Sequence, residues 1–214
     1  KFIITLLVFI LNSCSLSGNQ NLLGDDFRLF KNTTAWPLAV AVDNEDTAEI
    51  RKQILCKKIP VDFKEKKFGQ LFALYEAVFT DFEKVKLLIA KGADVNYQTE
   101  EMPKGGAAQA AFYAVRMDIL YYLITHGYNV HSKFSELNFS DYSTIDVDIC
   151  HKLRYCIYPI DSIQYKYKLL VINELSKRGM DYRSSKIPEI AIEIIKKDEQ
   201  LYRFIGLENY LKKY

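Results

Sequence analysis

Three stretches of this chain end alike: KLLIAKGADVN at Lys86–Asn96, LYYLITHGYNVH at Leu120–His131 and NELSKRGMDY at Asn173–Tyr182. Each runs a segment of helical periodicity into a glycine followed two residues later by Asp or Asn. Gly92 and Gly127 stand 35 residues apart and Gly179 follows 52 later, so the last unit carries an insertion. Upstream, Trp36-Pro37-Leu38-Ala39-Val40-Ala41-Val42 opens a further unit whose last helix is predicted to end near Lys58, where the pattern has glycine. A period of this size means a stack of supersecondary units, each burying its apolar face only against its neighbours.

Local chemistry supports helical units. Thr80-Asp81-Phe82-Glu83 reads as a capping box, with Thr80 accepting an orphan N–H and Glu83 reaching back. Asp46-Thr47-Ala48-Glu49 does much the same in the first unit. Phe82, Val85, Leu88 and Ile89 form one apolar stripe. Gly92, Gly127 and Gly179 supply the left-handed residue that ends a helix. Ala41, Ala77, Ala111 and Ala114 allow close approach of stacked helices. At the far end, Pro188 suits the start of a helix carrying Ile190, Ala191, Ile194 and Ile195. After Gly206 a short helix carries Leu207, Tyr210, Leu211 and Tyr214, while Lys196, Lys197, Asp198 and Glu199 face solvent.

On these residues the chain resembles the ankyrin-repeat family over roughly residues 30–185. KLLIAKGADVN is close to the family consensus, and WPLAVAV is similar to its TPLHxAA helix opening. The resemblance implies an all-α solenoid of helix-turn-helix units with short hairpin loops, at about 30–62, 68–98, 104–134 and 142–185, closed by a C-terminal helical cap at 186–214. The chain departs from the family in an insertion, roughly Phe134 to Tyr167. It is read either as a long structural loop with an extra helix or as a binding surface, with Ile145 to Leu153 serving as the first helix of the fourth unit.

The N-terminus carries a different signal. Lys1 precedes an apolar run from Phe2 to Leu11 broken only by Thr5. As a helix it would reach about 15 Å, half of a hydrocarbon core. The run ends in Leu11-Asn12-Ser13-Cys14, which resembles the lipobox of bacterial lipoproteins, with Asn12 as its departure from the pattern. The resemblance implies a signal peptide at 1–13, lipid attachment at Cys14, a flexible tether at 14–29, and an address on the periplasmic side of the cell envelope, at the outer membrane.

Composition narrows the function. With 49% hydrophobic residues and a net charge of +2 from 29 basic and 27 acidic side chains, the chain is neither disordered nor an electrostatic binder of nucleic acid. His126, His131 and His151 lack metal-ligand spacing, no Cys-x-x-Cys pair exists, and no glycine-rich phosphate loop appears. Asp141, Asp146 and Asp148 lack the glycine and glutamate of a calcium loop. Cys150 and His151 are adjacent and would point apart, so they do not make a nucleophile–base pair. Cys150 and Cys156 permit a disulfide if the segment between them is not continuous helix; the alternative is two buried thiols. Cys56 reads as a small core residue. The expectation is a chain without catalytic residues, metal or cofactor.

Recognition by surface remains. In the ankyrin family partners contact the hairpin tips and the exposed side of the first helices. Here the tips hold Tyr97, Gln98, Thr99, Glu100, Glu101 and Met102, then Ser132, Lys133 and Phe134; the insertion adds Tyr155 and Tyr158. Small ankyrin lipoproteins are similar to immunity proteins that neutralise toxins delivered between bacteria. That implies a monomer that binds a protein partner and meets the membrane only through its lipid. The alternative is an envelope scaffold or stress-related adaptor with no toxin partner.

Overall fold

A computed structural model describes residues 27–44, 46–60, 81–98, 106–137 and 143–214. The signal peptide, Cys14, most of the tether, Ala77, Thr80, Thr99, Glu100, Glu101, Met102 and Asp141 lie outside the described residues. The described chain is mostly helical. Its α-helices are α1 (Trp36–Asp43), α2 (Thr47–Leu55), α3 (Phe82–Ala90), α4 (Ala107–Tyr113), α5 (Met117–Thr125), α6 (Ile149–Arg154), α7 (Ile163–Lys177), α8 (Glu189–Lys197) and α9 (Leu207–Lys213). Strands β1 (Phe134–Leu137) and β2 (Thr144–Val147) form one antiparallel hairpin between α5 and α6, pairing Phe134 with Val147 and Glu136 with Ile145.

Side-chain caps start the helices. Asp46 accepts the Glu49 N–H at 2.9 Å, Asp148 that of His151 at 2.8 Å, and Ser162 that of Tyr165 at 3.1 Å. At α3 the cap is Asp81, one residue beyond the expected Thr80; it accepts the Glu83 N–H at 3.0 Å. Glu83 pairs with Lys86, 2.7 Å away.

The helix ends repeat one construction. Gly92, Gly127 and Gly179 have φ of 95°, 101° and 81°. After each, the next N–H returns to a carbonyl five residues back at 3.0 Å: Ala93 to Leu88, Tyr128 to Leu123, Met180 to Leu175. Asp94, Asn129 and Asp181 then each accept the N–H two residues on, from Asn96, His131 and Arg183. Lys58 takes φ 55° where the pattern has glycine. Asn96 ties neighbouring turns together, donating to the Gly127 carbonyl at 3.0 Å and accepting the Asn129 N–H at 2.6 Å.

Packing follows the same logic. α1 packs on α2, α4 on α5, and α5 on α7. Ala107, Ala108, Ala110 and Ala111 are buried in α4, Ile119, Leu120, Leu123 and Ile124 are wholly buried in α5, and Val171 and Leu175 are wholly buried in α7. Gln164, at the start of α7, accepts the Met117 N–H that opens α5, at 3.0 Å. Arg178, just past the end of α7, donates to the Ile124 carbonyl near the end of α5, also at 3.0 Å. These two bonds satisfy orphan groups at both ends of α5 and set the two helices parallel.

Several expectations change. Ile145 and its neighbours form β2, and helix begins only at Ile149, so the insertion is a hairpin followed by a short helix. Cys56 is exposed, because α2 ends at Leu55 and the chain turns outward. In α8, Ala191 and Ile195 are buried while Ile190 and Ile194 are exposed, so only half of the stripe packs inward.

The C-terminal segment closes over two buried basic side chains. Arg154, 4% exposed, donates to the main-chain oxygens of Tyr214 at 2.7 Å and Tyr182 at 2.9 Å, and lies 3.9 Å from the Tyr182 ring centre. Lys168, 1% exposed, donates to the Cys156 carbonyl at 2.8 Å and sits 3.9 Å over the Tyr214 ring. The Tyr214 hydroxyl returns to the Arg154 carbonyl, and the Tyr210 hydroxyl donates to that of Tyr158 at 2.6 Å. Full burial of charges demands such partners.

Candidate partner-binding surface

The end of α4, strand β1 and the end of α6 enclose a hollow of about 290 Å³. Tyr113 is 55% exposed, Val115 50% and Tyr155 45%, so three apolar bodies stand at its rim. Its floor is tied by charge. Lys152 lies 2.8 Å from Glu136, and His151 approaches the other carboxylate oxygen at 3.4 Å. The Lys152 ammonium sits 5.9 Å from the Tyr113 ring, and the His151 ring 5.3 Å from that of Tyr155. Partial burial, with Glu136 nearby, pushes the Tyr155 phenol up, so it stays a neutral donor.

Val115 is held in an uncommon conformation. It joins α4 to α5 with φ 56°, a region that a β-branched side chain resists. The tight turn demands it: the Val115 N–H bonds the Phe112 carbonyl, and the Arg116 N–H bonds that of Ala111 at 2.8 Å. Arg116 then pairs with Asp118 at 2.8 Å across the start of α5. The outcome is a strained residue that displays an isopropyl group beside two tyrosines.

The residues predicted for binding are dispersed. Tyr97 and Gln98 are half-buried, and Gln98 donates to the Lys133 carbonyl at 3.4 Å, joining the two turns. Lys133 is exposed. Phe134 is not an anchor: at 1% exposure it packs edge-on against Phe112, ring centres 5.5 Å apart, because the hairpin folds it into the core. Tyr158, 8% exposed, is likewise a core residue, its ring turned inward and its carbonyl held by Tyr210. Tyr155 alone joins the hollow as an exposed side chain. Tyr113, Val115, Glu136 and Lys152 were not anticipated. The signal for Tyr113 and Val115 was present as bulky residues at the end of an alanine-rich first helix, where the solvent face begins.

The remaining chemistry is quiet. Cys150 and Cys156 are free thiols. The turn continues through them, with the Cys156 N–H bonded to Leu153 and its thiol 3.6 Å from the Lys152 carbonyl, so no bridge joins them. Burial pushes the Cys150 thiol up to about 11, away from a reactive thiolate. His126 stacks on the Tyr122 ring at 3.8 Å. Among the described residues no group of three His, Cys, Asp or Glu side chains could hold a metal ion, and no helix is long and apolar enough to cross a membrane. Comparison with known proteins finds no family profile, curated protein or solved structure that matches this chain.

Proposed function

We propose that this chain is an ankyrin-repeat protein, lipid-anchored through Cys14 on the periplasmic side of the bacterial envelope, that acts by binding a protein partner without catalysis. The partner we favour is an antibacterial toxin, which the protein neutralises as an immunity protein. The observation that carries the binding role is the hollow walled by Tyr113, Val115 and Tyr155. It lies between the ends of two first helices, α4 and α6, the side that ankyrin proteins offer to partners. Exposed tyrosines around a recess supply rigid contact area with a polar tip, the composition of interface anchors. The recurrent turns after Gly92, Gly127 and Gly179, with Asn96 bridging two of them, support the repeat reading.

Cells lacking this protein, challenged by a sister strain that delivers antibacterial toxins, should lose viability, and the full-length protein should restore it. The Tyr113→Ala/Tyr155→Ala variant, folded by circular dichroism, should fail to protect, since two such anchors carry about 4 kcal/mol of binding together. Cys14→Ser should move the protein from the membrane to the soluble fraction. Unchanged survival of the deletion strain refutes the immunity role, and full protection by the double variant refutes the assigned surface.

A further inference from the structure

The hairpin presents a second surface. Within the hairpin β2 pairs only with β1, so along its outer edge the N–H and C=O groups of alternate residues point away from the ladder. No backbone bond outside the hairpin engages Thr144, Ile145, Asp146 or Val147 among the described residues. Thr144, Ile145 and Asp146 are all exposed, Ile145 at 46%. Such an edge is a template for another strand.

A cleft of about 390 Å³ runs from this strand to the turn after α7 and is lined by Lys133, Asp146, Asp148, Asp181 and Ser184, among others. Three carboxylates face one lysine there. Asp148 and Asp181 spend one oxygen each on a main-chain N–H, and Asp146 accepts the Ser135 hydroxyl at 3.3 Å. None of the three forms an ion pair among the described residues. The same carboxylates oppose a second copy of this chain, because pairing β2 with β2 would bring like charges together across the edge.

We propose that the outer edge of β2, unpaired among the described residues, takes up an extended segment of a partner protein bearing lysine or arginine, added antiparallel or parallel as a third strand. Its main chain pairs with Thr144–Val147, an apolar side chain covers Ile145, and its cations enter the acidic cleft. Backbone pairing supplies the attachment, and the carboxylates select the charge. This surface is separate from the Tyr113–Tyr155 hollow and stands whether or not that hollow binds a toxin.

The probe is a capped octapeptide alternating valine and lysine, titrated into the full chain and read by amide hydrogen exchange and calorimetry. Binding should slow exchange at the outward amides of β2 and weaken at least tenfold between 50 and 300 mM salt, as exposed ion pairs are screened. The same peptide with glutamate for lysine, or N-methylated at alternate residues, should bind at least tenfold more weakly. Asp146→Lys should lower affinity about tenfold, and Asp146→Asn by less. The Tyr113→Ala/Tyr155→Ala variant should bind the peptide as the parent does. No protection at β2, equal binding of the N-methylated peptide, or sedimentation showing that β2 is already covered by a second copy each overturns the proposal.

Discussion

Replacing Lys168 by methionine should flatten the stability of this protein between pH 7 and 9. The Lys168 amine is buried with one hydrogen-bond acceptor, the Cys156 carbonyl, and lies over the Tyr214 ring and 5.5 Å from that of Tyr182. Burial pulls its pKa down to about 7; the Cys156 thiol opposes the shift, and the Arg154 cation adds to it. In the unfolded chain a lysine titrates near 10.4. Between pH 7 and 9 the folded chain has therefore released a proton that the unfolded chain keeps, so stability rises with pH. The full slope for one proton is about 1.4 kcal/mol per pH unit, and the window should gain about 2 kcal/mol. Above pH 9 the Cys150 thiol, pushed up to about 11, ionises first in the unfolded chain and cancels this rise, and the Cys156 thiol, also raised by burial, turns it into a fall. Urea unfolding at pH 7, 8 and 9, followed by far-ultraviolet circular dichroism, measures the slope in the parent and in Lys168→Met. A parent as flat as the variant would show that the tyrosine faces hold Lys168 charged, refuting the account of its burial.

Arg154→Leu should destabilise by about 3–5 kcal/mol in the same assay, since it strips a buried cation from two carbonyls that then lack a donor. A loss under 1 kcal/mol would mean that the cap does not depend on it. Val115→Gly and Lys58→Gly should each stabilise by about 1 kcal/mol, because both residues hold a left-handed φ that glycine adopts freely; an unchanged thermal midpoint would contradict the assigned strain. Asn96→Ala should cost about 1–2 kcal/mol by removing both bonds to the Gly127–Asn129 turn, and amide exchange should quicken at Asn129.

The helix ends were legible because their cause is local. A glycine at positive φ followed by an Asx turn is written in five consecutive residues, and Lys58 betrays its position by breaking the pattern where the backbone still obeys it. The Asp46 cap was readable for the same reason. At α3 the cap is Asp81, the neighbour of the residue that the spacing favours, because either oxygen can accept at a helix start and spacing alone does not choose between adjacent acceptors. The hairpin had a signal in the alternation of Thr144-Ile145-Asp146-Val147, but four residues are too few to outweigh a helical reading of the segment that follows. Once the hairpin forms, Phe134 belongs to the core, which a loop reading of the same residue denies.

The buried basic side chains had no local signal at all. Arg154 finds its acceptors 28 and 60 residues further on, and nothing in the stretch around Arg154 points to either of them. Their logic appears only in packing. α5 is completed at both ends by the side chains of Gln164 and Arg178, at the two ends of the helix stacked on it. For α6, the Tyr214 hydroxyl does that work by donating to the Arg154 carbonyl, while the Arg154 side chain is held by the Tyr182 and Tyr214 main-chain oxygens. The segment from Tyr155 to Tyr158 is held in the same net, its carbonyls at Cys156 and Tyr158 taken by Lys168 and Tyr210. Tyr155 therefore reaches the hollow from a main chain anchored on the cap. Loosening the cap should blur the aromatic rim long before it unfolds α4, which ties the stability of the C-terminal residues to recognition at a surface that they do not touch.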